Sequence, residues 1–519
     1  MSLYFLPLVS AAILALAAVL AIRAPGQRPR RLLIAAEAAT LTGLAVAIAT
    51  AIVFALDGPG TSLLVGAGGI GFSARVDSVS VPMILLVGFI GWVVVRYARV
   101  YLDGEARQGV FMGWLLAALA AVLLLVQSGN LVQLALAWIV TGRCLQQLLC
   151  FYAERPRAVR AARNRLVFVR VGDLALLGAL GLLIWQFGST DIASVLESAR
   201  SVTGTAVTQT AVALLAITAL LKSAQFPTHG WLTTVMEAPT PVSALLHAGV
   251  VNAGGFLLIR LADVALLSPA VLALLVVVGG FTALFGAMVM LTQSAVKTSL
   301  AWSTIAQMGF MIMQCGLALF PLALLHIVAH SLYKAHAFLF SGAAIEGVAN
   351  IRRPGPVATP SPGAVGRAFL IALLIYGIIG FAFGLDEKPP QAIALGAMLI
   401  FGVAYLIAQG LADAAPRTLT RRTALYSVGA SISYFTLQVG ADAFTARALP
   451  VAPAPGPLEW ALLILTVASF GLVALAQALF PLWAYHPAMG GLRVHLANGL
   501  YIHVLVERLL GHYGDPHVR

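Results

Sequence analysis

Apolar runs of about 20 residues recur along the whole chain, and they restrict what it can fold into. A run of that length is a helix across a hydrocarbon core, whereas a barrel strand needs only about 10 residues. In lipid, only helices and closed barrels satisfy their own backbone hydrogen bonds. The 519 residues are 61% hydrophobic and 10% charged, against about 25% charged in an ordinary soluble domain. The chain therefore reads as an all-α polytopic membrane protein.

About fifteen spans are expected, at 3–22, 31–56, 78–101, 110–127, 130–152, 165–187, 206–226, 240–262, 270–291, 298–318, 320–345, 366–384, 391–411, 422–441 and 457–482. The fourteenth is the least apolar. The N-terminal MSLYFLPLVSAAILALAAVLAIRAPG lacks the basic start of a signal peptide and is read as an uncleaved first span. Arginines collect after spans one, three, five, eleven and thirteen: Arg23/Arg28/Arg30/Arg31, Arg96/Arg99/Arg107, Arg155/Arg157/Arg160/Arg163/Arg165, Arg352/Arg353 and Arg417/Arg421/Arg422. The positive-inside rule then places the N-terminus outside and the C-terminus in the cytoplasm of a multi-pass cell (inner) membrane protein. The same clustering explains the net charge of +12 without nucleic acid. Cys144, Cys150 and Cys315 lie in apolar stretches without CxxC spacing, so neither a disulfide framework nor a metal site is expected.

Two segments break the pattern. Pro227, in LLKSAQFPTHGW, either ends the seventh span or breaks a helix inside the protein. The tail, 488–519, has apolar residues at helical spacing but is too short and too charged to span. It is expected to be an amphipathic helix lying on the membrane or on another subunit.

Ionisable residues inside apolar spans are costly and are functional candidates by default. His326, His330 and Lys334 follow at steps of four, which keeps them on one helix face, about 6 Å apart along the axis. They are read as a proton route, the alternative being a polar stripe that glues two helices. Lys222 near the end of the seventh span, His247 in the eighth and Lys297 at the start of the tenth extend the set. A lysine out of water can exchange its proton, and histidine suits a relay. Snorkelling for Lys222, a loop position for Lys297 and a structural role for His247 are the alternatives. Asp173 has Arg170 three residues before it, as a supporting charge or a structural pair. Glu237 precedes Pro-Thr-Pro and caps a helix or supports the route; Asp77 lies at a span edge. No nucleotide, haem, cluster, triad or metal-hydrolase motif is visible.

The tracts LLKSAQFPTHGWLTTVMEAPTPVSALLHAGVVNAGGFLLIR (220–260), VKTSLAWSTIAQMGFMIM and LHIVAHSLYKAHAFLFSG resemble the antiporter-like membrane subunits of respiratory complex I and the Mrp cation/proton antiporters. RVDSVSVPMILLVGFIGWVVVRYARVYL and VRVGD extend the likeness to about residues 70–345. The resemblance implies two inverted five-helix repeats, each with one broken helix, and proton-carrying roles for Lys222, Lys297, His326, His330 and Lys334. The expected divisions are 1–109 for N-terminal transmembrane helices, 110–262 and 263–415 for the repeats, 416–487 for C-terminal transmembrane helices, and 488–519 for a cytoplasmic tail docking a partner through Arg493, His495, Tyr501 and His503.

The family's fifth-span glutamate after tryptophan is absent, because Ile139 follows Trp138, and Arg143 adds positive charge nearby. No intramembrane lysine or glutamate closes the route in the twelfth span. These departures, with FYAERPRAVRAARNRLVFVRVGD and the tail, are most similar to the DabB-type branch, the membrane subunit of two-component dissolved-inorganic-carbon transporters. That resemblance implies a cytoplasm-facing partner of the DabA type, like a zinc β-carbonic anhydrase, with the zinc in the partner and no cofactor or catalysis in this chain. Proton- or sodium-driven coupling to CO₂ hydration is then the expected function. A proton-pumping or cation/proton antiporter subunit and a non-conducting anchor are the alternatives.

Overall fold

The computed structural model describes residues 3–23, 26–348, 361–410, 417–483 and 486–509. Arg352 and Arg353 lie outside them, as do residues 510–519. Among the described residues twenty-two α-helices follow in order: α1 (Leu6–Arg23), α2 (Arg30–Asp57), α3 (Ser80–Tyr101), α4 (Gln108–Val126), α5 (Leu131–Leu149), α6 (Pro156–Phe187), α7 (Ile192–Arg200), α8 (Ala206–Lys222), α9 (Gly230–Thr234), α10 (Thr240–Ala248) and α11 (Ala253–Arg260). Then come α12 (Ala262–Ala265), α13 (Pro269–Met290), α14 (Val296–Gly316), α15 (Phe320–Val348), α16 (Pro362–Ala382), α17 (Pro390–Gly410), α18 (Arg417–Thr445), α19 (Pro457–Ala478), α20 (Phe480–Trp483), α21 (Gly490–Ala497) and α22 (Ile502–Leu509). Each expected span falls on one of these, or on the pair α10–α11. Ten helices among the described residues are long and apolar enough to cross a membrane. The strands β1 (Gly60–Thr61), β2 (Val65–Ala67), β3 (Ile70–Phe72) and β4 (Arg75–Val76) make two small antiparallel ribbons between α2 and α3. The β2–β3 turn is Gly68–Gly69, both at positive φ, as a two-residue hairpin turn requires.

Contacts between connections sort the molecule into two faces. On one, Arg28 pairs with Asp103 at 2.9 Å, Arg99 with Glu37 at 2.8 Å, and Tyr152 donates to Glu105 at 3.0 Å. These join the first, third and fifth connections, the arginine-bearing ones, and the ends of α2 and α3 beside them. On the other, Ala74 bridges Ser128, Asn130 bridges Asp191, and Arg260 and Arg200 pair with Asp77 and Asp263. These join even-numbered connections only. The alternation expected from arginine clustering is thus built into the tertiary contacts.

One large core unites α1 to α15, and α16, α17 and α18 build a second around Tyr376, Ala404 and Phe435. Helices α13 and α14 meet at glycines: a Cβ on Gly279 would stand 2.6 Å from Met313 N, and one on Gly309 2.5 Å from Ala283 N. Without a hydrophobic drive between helices in lipid, such close backbone approach is how they associate. The eighth span is interrupted at Gly249, whose φ −126° and ψ −78° lie outside the helix region. Side chains meet the freed carbonyls: Ser223 Oγ donates to Val251 O at 2.8 Å and Asn252 Nδ2 to Ala248 O at 3.0 Å. α8 stops at Lys222, five residues before Pro227, where Ala224 turns to φ 51°. α16 and α17 run uninterrupted, so the expected break in the second half is not found among the described residues.

Candidate functional site

Lys222 closes α8, and the bundle covers it; the residue is 6% exposed. Its Nζ sits 4.6 Å from the Trp138 ring centroid and has no hydrogen-bond partner. Gly142, one turn past Trp138 on α5, leaves room: a Cβ there would stand 3.8 Å from Nζ. Asp173 is buried, with an unpartnered Oδ1, and acts electrostatically on Lys222. It is the acid that stands near this lysine where the fifth span supplies Ile139. The expected cations are redistributed. Arg143 and Arg170 are exposed, and no ion pair joins Arg170 to Asp173 among the described contacts. The buried cation is Arg165, 1% exposed and 5.5 Å from the Trp231 ring. Arg165 lies eight residues before Asp173, about 80° around the helix and about 12 Å along it, and acts on Asp173 less than Arg170 does.

His247 is fully buried on α10. Its Nδ1 lies 3.1 Å from Thr304 Oγ1, its ring stacks on Phe338 at 4.3 Å, and its Nε2 has no partner. Lys334 is fully buried and donates to Leu300 O at 3.2 Å, one turn before Thr304 on α14. His330, one turn away on α15, is 5% exposed, and both of its ring nitrogens are unpartnered. His326 follows, with Nδ1 2.8 Å from Gln314 Oε1 and its ring centroid 5.9 Å from that of His330. The steps of four along α15 therefore face inward as one row, with His247 beside it. Lys297 is half-buried at the foot of α14, where it donates to Thr240 Oγ1 at 3.3 Å. Glu237 ends a short turn whose side chain lies outside the described residues.

One cavity touches His326 and His330, and a smaller one lies near Lys222 and His330 without being lined by either. A space of about 50 Å³ at the helix break is walled mainly by apolar groups but includes Thr141, Asn252 and Ser331. It has room for a few waters. Thr141 precedes Gly142 beside Lys222, and Ser331 follows His330; Asn252 Nδ2 donates to Ser331 Oγ at 2.9 Å while its Oδ1 has no partner. A larger space of about 390 Å³ lies between α14, α15, α17 and α18, lined by Gln307, Gln314, His326, His330 and Tyr434 among apolar side chains. Thr304, Asn252 and Ser331 were not expected from the sequence, because no local spacing links His247 to a partner 57 residues away.

Among its described residues the tail is two short helices rather than one, kinked where Leu500 and Tyr501 take φ 53° and 59°. It lies across this chain's own arginine-bearing face. Gln293 donates to Ala497 O at 3.1 Å, and a Cβ on Gly499 would meet the Trp302 ring at 3.0 Å. His503 is turned toward α9, its Cβ 2.7 Å from where a Gly230 Cβ would stand. His229 lies beneath, buried among Phe226, Phe285 and Trp302. Of the expected docking residues, Arg493, His495 and Tyr501 are exposed and His503 is half-buried against the chain itself.

A membrane-helix bundle with a line of bases held inside it defines a polytopic membrane subunit of the transport class. The model described as "NADH:quinone oxidoreductase/Mrp antiporter, TM" matches residues 128–378, and that for the N-terminus of complex I chain 5 matches residues 63–112. A probable inorganic carbon transporter subunit DabB2 of Halothiobacillus neapolitanus is 39% identical over 86% of this chain and 82% of its own length. A probable DabB of Hydrogenovibrio crunogenus is 42% identical over 59% of this chain and 60% of its own length. Among solved structures, a Mrp complex from a Dietzia species aligns at a TM-score of 0.60 and 25% identity, covering 100% of this chain and 58% of that one. Respiratory complex I from Thermus thermophilus aligns at 0.56 and 19% identity, over 98% and 100% of the two chains, and shows the fold alone. The chain belongs to the antiporter-like membrane-subunit family of complex I and Mrp antiporters, alongside the DabB-type inorganic carbon transporter subunits.

Proposed function

We propose that this chain is the energy-coupling subunit of a dissolved-inorganic-carbon accumulation complex, conducting H⁺ or Na⁺ along Lys222, His247, Lys297, Lys334, His330 and His326. The carrying observation is that Lys222 Nζ, His247 Nε2, His326 Nε2 and both His330 nitrogens are buried without partners. An unmet buried polar group costs about 1–3 kcal/mol, so a chain that keeps several on one line keeps them for water and ions rather than for packing. Asp173 supplies the negative charge for Lys222, in place of the missing fifth-span acid.

The arginine-bearing face is the cytoplasmic one, which puts the N-terminus outside and the tail inside. The tail, through Arg493, His495 and Tyr501, meets a zinc-containing, β-carbonic-anhydrase-like partner, in which the hydration of CO₂ takes place. One charge moving down 100 mV releases about 2.3 kcal/mol, enough to bias hydration more than tenfold. The test is co-expression with that partner in cells lacking carbonic anhydrase. Growth in air is expected, and it should be lost in the His330→Ala, Lys334→Ala double variant. Growth that survives full collapse of both proton and sodium gradients would refute the proposal.

A further inference from the structure

Helix α18 is amphipathic the wrong way round for a soluble core. Its buried positions are Thr423, Ser427, Ser431, Phe435, Gln438 and Thr445, all but one polar, while Leu425, Ile432, Leu437 and Phe444 are exposed. The polar residues recur at steps of four and then seven, so they form one stripe. From 423 to 445 the stripe rises about 33 Å, close to the thickness of a hydrocarbon core of about 30 Å. A stripe that only glued helices would have its hydroxyls matched. Here Ser427 Oγ and the Tyr434 hydroxyl are buried without partners.

The stripe also meets the base line. Tyr434 lines the 390 Å³ space together with His326 and His330. That space is open on one side, where Tyr333, Leu399 and Leu437 are exposed, and by volume it has room for several waters against His326 and His330. Toward the face away from the arginine loops, Asp442 lies within electrostatic reach of Tyr434 and pairs with Lys388 at 3.3 Å. Helix α17, which completes the wall, has no charged side chain, and α16 beside it has only the exposed Arg367. Past His326, α18 carries an inward-facing polar stripe to that face, where α17 adds the single buried Gln391 among the described residues.

We propose that α18 is the outer leg of the conduction path. A proton arriving at the Asp442–Lys388 pair passes Gln438 to the Tyr434 hydroxyl, which releases its own proton across water in that space to His330. This rests on the conducting role argued above. The experiment uses the full chain in liposomes under an imposed potential, with a pH-sensitive dye. Tyr434→Phe and Asp442→Asn should each slow proton flux at least tenfold, and Tyr426→Phe, 63% exposed on the same helix, should leave it unchanged. If Tyr434→Phe does not fold, Gln438→Met is read in its place. Wild-type flux in the Tyr434→Phe, Asp442→Asn double variant, with the His330→Ala, Lys334→Ala variant inactive, would overturn the α18 leg but not the conducting role. Sodium uptake without proton flux in the wild type would also overturn the relay while sparing transport. A wild-type chain that passes neither ion overturns both.

Discussion

Replacing Arg260 with methionine should loosen the C-terminal end of the broken helix. Asp77 receives Arg260 Nη1 at 2.6 Å, Arg75 Nε at 2.7 Å, and the backbone N–H groups of Ser80 at 2.8 Å and Val79 at 3.1 Å. Arg260 and Asp77 side chains are 2% and 4% exposed, while Arg75 is 17% exposed. Removing one partner of a buried pair costs about 3–5 kcal/mol. Arg75 and two N–H groups remain, so the lower end, about 3 kcal/mol, is expected. Asp77→Asn should cost a similar amount by stranding Arg260. The Asp77→Asn, Arg260→Met double variant should cost less than the sum by about 1–3 kcal/mol, because the two groups interact directly.

The pH dependence follows from Asp77. Burial alone would raise its pKa, but Arg260 and Arg75 outweigh that and hold it well below the usual carboxylate range. A depressed folded value means the contribution is complete above the unfolded value, near about 4, and is lost as pH falls below it. In Arg260→Met the half-compensated carboxylate protonates more readily. The wild-type advantage should therefore be flat from about pH 7 to 5 and narrow toward acid. Thermal unfolding of the detergent-purified protein, followed by tryptophan fluorescence, measures this as a Tm gap of several degrees. An unchanged Tm, strict additivity, or a gap that widens toward acid would refute the reasoning.

Further outcomes are expected. Asp173→Asn should lower ion flux about as much as Lys222→Met, and the pair should not be additive, because each group sets the other's charge; a double-mutant cycle on flux checks this. Thr304→Val removes the hydrogen bond to His247 Nδ1 and should slow flux several-fold while shifting Tm little. Gly230→Ala places a Cβ 2.7 Å from His503 Cβ, so the tail must lift. Limited trypsin cleavage after Arg493 or Arg508 should speed up, with little change in Tm.

The periodicities of a helix are local, and what they govern was readable. The inward row His326–His330–Lys334 follows from steps of four, and the two faces follow from where arginines recur between spans. The weak hydropathy of the fourteenth span was readable as well, but its reason was not: seven-residue spacing shows a stripe, and only packing shows that the stripe points inward. Arg170 is exposed yet acts on Asp173 from three residues away, whereas Lys222, 49 residues distant in sequence, acts on it more strongly and is brought there only by packing. The sequence by itself determined the membrane class, the spans, and which bases share a helix face, since burial in lipid and a 3.6-residue turn act over a few residues. Only the tertiary structure decided that Thr304 answers His247, that His503 folds back on its own chain, and that α18 faces the histidines. Those contacts join residues far apart along the chain, and whole helices packing together bring them within reach.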